Sequence, residues 1–142
     1  MKKLAKLTIR LLVFLTLLFA AIFGSFRVWE WMVVKRIAAQ FQVTPSWDAI
    51  RTHLYSEEFK PGMTREEIHQ VLDKVGSWEI RWYEDPKKDE GRWDINTEQL
   101  VFREVVRFTE IATLKLENLG AWSFTYDKNG RLVEQHRLDS GG

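Results

Sequence analysis

The chain has 142 residues, of which 45% are hydrophobic, so it can bury the core of one modest domain. Its net charge of +1 averages two unequal parts. Residues 1–40 carry seven Lys/Arg against the single acid Glu30, whereas residues 41–142 carry fourteen against nineteen Asp/Glu. The absence of cysteine excludes disulfides, thiolate catalysis, cysteine-ligated zinc and lipidation of an N-terminal cysteine.

The basic N-terminal part has the pattern of a membrane signal. Four basic residues within the first ten precede an uncharged, apolar run over residues 11–26. Sixteen residues of helix measure about 24 Å, which is less than the roughly 30 Å of a hydrocarbon core. We expect Arg10 and Arg27 to close this gap by extending their aliphatic stems along the lipid. Trp29 and Trp31 then follow at the membrane interface.

We predict that residues 1–27 form a retained signal-anchor helix that contacts membrane lipid through residues 11–26. A cleaved secretory signal is the alternative, but its best cleavage frame puts Ile22 at a position that requires a small side chain. Residues 28–43 are predicted to form an amphipathic juxtamembrane helix. Its apolar stripe recurs every four residues and consists of Trp29, Val33, Ile37 and Phe41.

The distribution of positive charge favours a single-pass protein of the cytoplasmic (inner) membrane with its N-terminus in the cytoplasm. Four basic residues precede the span, and Arg27, Lys35 and Arg36 follow it, so the bias is modest. The remaining domain would then be extracytoplasmic. Its balance of −5 disfavours docking on anionic lipid and argues against nucleic acid as a partner.

Residues 44–142 are predicted to form one α+β domain that begins with two short helices. In the first, Thr44 is the expected cap and Pro45 the first helical residue, and the helix runs to about Tyr55. The second is predicted over residues 65–75, because Thr64 and Glu67 have capping-box spacing and apolar residues then recur with helical period. Gly76 is expected to end it in a left-handed conformation.

From residue 77 the apolar period changes from 3.6 to 2, which indicates strands. The predicted inward faces carry the tryptophans Trp47, Trp78, Trp82 and Trp122, and Phe124 and Tyr126 alternate on the same face as Trp122. The predicted strands cover residues 77–84, 100–108, 112–116, 122–126 and 131–138, and for residues 100–108 a helix is the alternative. Residues 85–91 are predicted to form a polar loop. Residues 127–130 are predicted to form a hairpin turn in which Asn129 and Gly130 can take positive φ. The predicted fold is a transmembrane helix followed by two short helices packed on an antiparallel β-meander.

One segment carries a family resemblance. Residues 59–76, with Gly62-Met63-Thr64, Glu67-Ile68, Leu72 and Gly76, resemble the G-M-T-x-x-E-V-x-x-x-L-G helix of the BamE family (SmpA/OmlA lipoproteins). The order of elements and the hairpin over residues 124–132 are similar too, and the similarity covers roughly residues 47–138. It implies a BamE-like fold that binds protein partners in the cell envelope. The chain departs from the family in lacking the lipobox cysteine, in having Ser77-Trp78 after the helix-ending glycine, and in a longer loop over residues 85–99.

The sequence predicts no catalytic, cofactor-binding or metal-ligating residues. His53, His69 and His136 fall on three different elements without metal-ligand spacing, and we interpret them as exposed bystanders. The paired acids are interpreted as solvated charge, and the chain has no phosphate-binding glycine loop and no nucleophile motif.

Trp93 lies in a charged loop and is the candidate contact for a protein partner. The alternative is that this loop folds back to cover one face of the sheet. The sequence therefore predicts a non-enzymatic, membrane-anchored accessory or scaffold protein of a bacterial cell-envelope complex. One alternative is a supernumerary single-pass subunit of a respiratory or transport complex. Another is a small-ligand-binding or hydrolytic domain with a pocket lined by Trp78, Trp82 and Trp122.

Overall fold

The computed structural model describes residues 1–109 and 119–138, which form a long helix, two short helices and one antiparallel sheet. The helices are α1 (Lys2–Phe41), α2 (Trp47–His53), which continues into one π-helical turn (Leu54–Glu58), and α3 (Arg65–Val75). The strands are β1 (Trp78–Tyr83), β2 (Arg92–Asp94), β3 (Gln99–Phe108), β4 (Ala121–Asp127) and β5 (Leu132–Leu138). The α+β class is confirmed, and the strand predicted over residues 112–116 lies outside the described residues.

Helix α1 is unbroken over 40 residues and is long and apolar enough to cross a membrane. Its most apolar stretch is wholly exposed, whereas its last turns are buried against the rest of the protein. The buried residues are Val33, Val34, Ile37, Ala38 and Phe41. The helix ends where Gln42 takes a left-handed φ of 55°. One rigid element therefore extends from the N-terminus into the core of the domain.

The cap of α2 differs from the prediction. The side chain of Ser46, rather than Thr44, accepts a hydrogen bond from the backbone N–H of Ala49 at 3.1 Å, and the helix begins at Trp47. Serine is a stronger cap than threonine, and Asp48 adds a negative charge at the positive end of the helix dipole. The prediction that placed Pro45 inside this helix was therefore wrong.

Helix α3 has the predicted bounds and the predicted capping box. The hydroxyl of Thr64 accepts from the N–H of Glu67 at 3.2 Å, and the Glu67 carboxylate accepts from the N–H of Thr64 at 2.8 Å. The expected left-handed end is not found, because Gly76 has φ 156° and ψ −153°. This extended conformation directs the chain straight into β1.

The sheet has the strand order β1-β3-β4-β5, and the short strand β2 also pairs with β3. Strands β3, β4 and β5 form the predicted meander, and the strand predicted over residues 100–108 is confirmed. Strands β1 and β2 lie end to end along the other edge of β3, β1 opposite residues 104–108 and β2 opposite residues 99–101. The loop predicted to contain Trp93 therefore includes a strand.

A bulge in β1 reverses the predicted direction of Trp82. Ile80 pairs with Val106 but Trp82 pairs with Val105, which leaves Arg81 as an extra residue. Neighbouring residues of a strand point to opposite faces, so Trp82 lies on the sheet face away from the helices. The prediction of an inward Trp82 was wrong, because strict alternation does not anticipate a bulge.

The core lies between the three helices and one face of the sheet. From β4 it includes Trp122, Phe124 and Tyr126, all predicted to point inward and all buried. The ring of Phe59 lies 5.3 Å from that of Trp122 and 4.9 Å from that of Phe124, so the segment after α2 is anchored to the sheet by aromatic contacts. In the predicted hairpin Gly130 has a positive φ of 74°, and Asn129 does not.

Candidate functional site

The four residues predicted for the membrane interface all lie on α1 with exposed side chains: Arg10, Arg27, Trp29 and Trp31. The Arg27 guanidinium lies 3.5 Å from the Glu30 carboxylate, one turn further along the helix. The ammonium of Lys35 lies 4.6 Å from the centre of the Trp31 ring, a cation–π contact. An ion pair and a cation–π contact thus lie at the C-terminal end of the apolar run.

A polar contact joins this region to the folded domain. The indole N–H of Trp47, the first residue of α2, donates to the Glu30 carboxylate at 3.2 Å. Glu30 is the single acid of the first forty residues, and its side chain is largely buried. It faces the domain because it precedes Val33 and Val34 by one turn, on the same side of α1.

The most buried ionisable group of the described residues is the carboxylate of Glu104, which is 0% exposed. It lies in the middle of β3, on the inward face between Phe102 and Val106. Its Oε1 accepts from Nε and Nη2 of Arg65, at 3.1 and 2.8 Å, and lies 2.9 Å from Nε2 of His69. Its Oε2 accepts from the hydroxyl of Tyr126 at 3.1 Å. We call these four residues the Glu104 cluster.

Aromatic rings enclose the cluster. The Arg65 guanidinium lies 3.9 Å from the centre of the Tyr83 ring, and the His69 ring lies 4.7 Å from that of Trp78. Arg65 and His69 are separated by one helical turn on the side of α3 that faces the sheet. The interpretation of His69 as an exposed bystander was therefore wrong.

The contacts of Glu104 decide its charge. Burial by itself raises the pKa of a carboxyl group, but the hydrogen bonds and positive charges of His69 and Arg65 outweigh burial and lower the pKa of Glu104. Burial, followed by the charge and hydrogen bond of Glu104, raises the pKa of Tyr126 far above its ordinary value. The cluster is thus an ionised carboxylate held by the Arg65 guanidinium, the His69 ring and a neutral phenol.

The geometry of the Glu104 cluster suits a structural role, in which it holds secondary-structure elements together, better than a catalytic one. The carboxylate has no exposed surface, and its oxygens already accept four hydrogen bonds from the protein. The cluster joins α3 to β3 and β4, across 39 residues of sequence between Arg65 and Glu104. Within residues 1–109 and 119–138, no group of three His, Asp or Glu side chains could hold a metal ion.

The sequence contains a signal for this cluster within β3. Glu104 is the single acid among the inward positions of β3, at residues 102, 104, 106 and 108. An acid on an otherwise apolar face requires partners, and Arg65 and His69 at i and i+4 of α3 supply them. Only the tertiary packing of α3 on β3 shows that Arg65 and His69 are the partners of Glu104.

The other candidate contact, Trp93, is 65% exposed. It lies in β2 opposite Leu100, near Ile95, which is also exposed. Gly91, the residue before β2, packs against the sheet, because a Cβ at this position would come within 2.9 Å of the Phe102 ring. Backbone therefore covers Phe102, and the indole ring of Trp93 stays in solvent.

The three tryptophans of the suggested ligand pocket do not converge. Trp122 is buried opposite Val106, whereas Trp82 is paired with Val105 on the other face of the sheet. Trp78 packs instead on His69 and donates its indole N–H to Asp73 at 2.8 Å. The core fills the space in which such a pocket was expected.

Neither a protein-family model, nor a curated protein, nor a solved structure matches this chain.

Proposed function

We propose that this chain is a single-pass membrane protein that retains α1 as an anchor and acts as a non-enzymatic accessory or scaffold protein of a bacterial cell-envelope complex. The observation that carries the proposal is the continuity of α1. One helix contains both the exposed apolar run over residues 11–26 and the buried residues from Val33 to Phe41. A rigid helix of this kind transmits the position of its membrane span to the folded domain.

A cleaved secretory signal meets the same criteria of length and composition. Two arguments support retention. The cleavage frame at residues 22–24 lies inside a continuous helix and lacks a small residue at its first position. Cleavage after Gly24 would also leave Phe26, Val28, Trp31 and Met32 exposed to water on the released domain.

We propose the orientation that the charge pattern favours, with the N-terminus in the cytoplasm, the span in the inner membrane and the domain outside. Because the chain has no cysteine, single-cysteine variants report topology directly. Lys3→Cys and Lys128→Cys place thiols at exposed positions at opposite ends of the protein. In intact spheroplasts a membrane-impermeant maleimide should label Lys128→Cys and leave Lys3→Cys unlabelled until the cells are lysed. The opposite pattern would reverse the orientation.

The assignment to the cell envelope rests on the BamE-like resemblance. We propose that the domain is related to the BamE family. It is supported by the capped helix α3 after Gly62-Met63-Thr64 and by two helices that precede a meander. The chain differs in its means of attachment, because a transmembrane helix takes the place of the family's lipidated cysteine.

We propose that Trp93 contacts the protein partner. An exposed tryptophan beside an exposed isoleucine offers the kind of surface that dominates binding energy in interfaces. The test is cross-linking and purification of the tagged, membrane-embedded chain and its Trp93→Ala variant. The variant should lose a partner that the parent recovers in a fixed ratio, with unchanged thermal stability. Trp82→Ala, an exposed tryptophan on the opposite face, is the matched control and should retain the partner. Equal recovery by all three proteins would refute the assignment of Trp93.

A further inference from the structure

One side of α1 stays apolar and uncovered beyond the predicted span. Val28, Trp31 and Met32 are exposed, and Lys35 follows one turn after Trp31. On the opposite side of the same turns, Val33, Val34 and Ile37 are buried against the domain. Between residues 28 and 35 the helix therefore has two apolar faces, one that packs on protein and one that no described residue of the domain covers.

We propose that the exposed face formed by Val28, Trp31, Met32 and Lys35, the outer face of α1, lies in the boundary between acyl chains and headgroups of the membrane. The proposal rests on the proposed function in requiring that α1 is retained. It adds that the lipid-embedded part of α1 reaches Met32 on the side away from the domain. The domain is therefore held against the bilayer surface at a fixed rotation about the axis of α1.

The length of the apolar surface supports lipid as the occupant. Residues 11–26 measure about 24 Å along the helix, which is too short for a hydrocarbon core of roughly 30 Å. Residues 11–32 measure about 33 Å, enough to cross that core with a modest tilt. The outer face continues the span without a gap, because Leu17, Ala21, Gly24 and Val28 follow one another at intervals of three or four residues on the same side of α1 and are all exposed.

The charges at this end of the helix fit an oblique membrane surface. Glu30 is turned towards the domain and bonded to Trp47, and Arg27 lies within reach of it, so neither charge belongs to the outer face. A helix is about 10 Å wide. When it tilts by about 20°, one side lies about 3 Å deeper in the membrane than the opposite side. This equals the rise of about 3 Å from Glu30 to Met32. Lipid on one side and the domain on the other can therefore share the same turns.

The end of the outer face has the composition of a membrane boundary. The Lys35 ammonium lies 4.6 Å from the centre of the Trp31 ring, so a cation and an indole are combined where the apolar surface stops. Tryptophan and lysine are the side chains that anchor helices at headgroup level. Ala39 lies on the same face one heptad after Met32 and is exposed, and we expect it to be in water.

Spin labels on single cysteines test the proposal in the complete chain, reconstituted in phosphatidylcholine vesicles. Met32→Cys probes the outer face, Leu17→Cys the centre of the span, and Ala39→Cys the same face beyond Lys35. All three positions are exposed on α1, so a label does not enter the core. The accessibility of each label to oxygen, which partitions into lipid, is compared with its accessibility to a water-soluble nickel chelate.

The expected result is that oxygen is favoured at Leu17→Cys and Met32→Cys and that the preference is inverted at Ala39→Cys. If Leu17→Cys favours oxygen but Met32→Cys favours the nickel chelate, the outer face lies in water and the inference fails while the anchor stands. If the label at Met32→Cys is shielded from both reagents, protein covers the face and lipid is the wrong occupant. If Leu17→Cys also favours the nickel chelate, the anchor itself is refuted.

Discussion

The indole N–H of Trp47 donates to the carboxylate of Glu30 across the junction between α1 and the folded domain, with donor and acceptor 3.2 Å apart. This contact lies where the apolar run ends and the buried part of α1 begins. Together with the burial of Ile37 and Ala38, it fixes the domain to one side of the helix. The exposed apolar run of α1 and the domain are consequently parts of one continuous structural unit.

Loss of the junction contact should be measurable as a coupling energy between Trp47 and Glu30. A double-mutant cycle of Trp47→Phe and Glu30→Ala in detergent-solubilised protein separates the hydrogen bond from the change in ring size. Because the acceptor is charged and largely buried, we expect about 1–2 kcal/mol of coupling in the free energy of unfolding. Strictly additive effects of the two substitutions would show that the contact does not secure the junction.

Removal of Arg65 should destabilise the domain strongly. Arg65→Met leaves the buried carboxylate of Glu104 with His69 and Tyr126 as its remaining hydrogen-bond partners, and breaking a buried ion pair in this way costs about 3 kcal/mol. Arg81→Met is the matched control, because Arg81 pairs with Glu79 at the surface and its loss should cost less than about 1 kcal/mol. Chemical denaturation measures both, and similar losses would contradict a structural role for the Glu104 cluster.

The stabilising effect of Glu104 should depend on pH. Its folded-state pKa is lowered, so its contribution is complete above the unfolded-state value of about 4.3 and is lost as pH falls through the folded-state pKa. The difference in unfolding free energy between the parent and Glu104→Gln should therefore be largest at neutral pH and shrink below about pH 4. A difference that stays constant or grows on acidification would mean that the carboxylate is not held ionised.

Gly91 should tolerate substitution less well than Gly130. Both have positive φ, 71° and 74°, so an alanine at either position is strained by about 1 kcal/mol. A Cβ at Gly91 would also approach the Phe102 ring and the Val101 carbonyl oxygen to 2.9 Å, whereas one at Gly130 meets nothing within 4 Å. Gly91→Ala should therefore lower the melting temperature clearly more than Gly130→Ala, because the loop must lift from Phe102. Equal shifts would show that backbone strain alone is at work.

Features with a local cause could be predicted from the sequence. Helix α3 has its predicted bounds because its cap, its apolar period and its last residue all lie within a dozen positions. The inward side chains of β4 follow from alternation alone, and Trp122 and Phe124 are buried as predicted. Val33, Ile37 and Phe41 were correctly placed on one apolar stripe, although the stripe by itself did not show that it packs into the domain.

Features that depend on partners distant in sequence could not be predicted. The bulge at Arg81 shifts the pairing of β1 with β3, and it reverses Trp82 without a mark in the apolar pattern. The Glu104 cluster joins residues 65, 69, 104 and 126, and no spacing rule connects them. The exposure of Trp93 depends on the pairing of β2 with β3 and on which part of the sheet the helices leave uncovered, and both are tertiary properties.

The retention of α1 is the central claim, and the intact mass of the protein tests it most directly. The chain with a C-terminal tag is expressed in a bacterial host, extracted from alkali-washed membranes, and weighed by mass spectrometry. We predict the mass of all 142 residues plus the tag, recovered in the membrane fraction. A soluble product that lacks the residues up to Gly24 would contradict it, because the domain would then be released from the membrane.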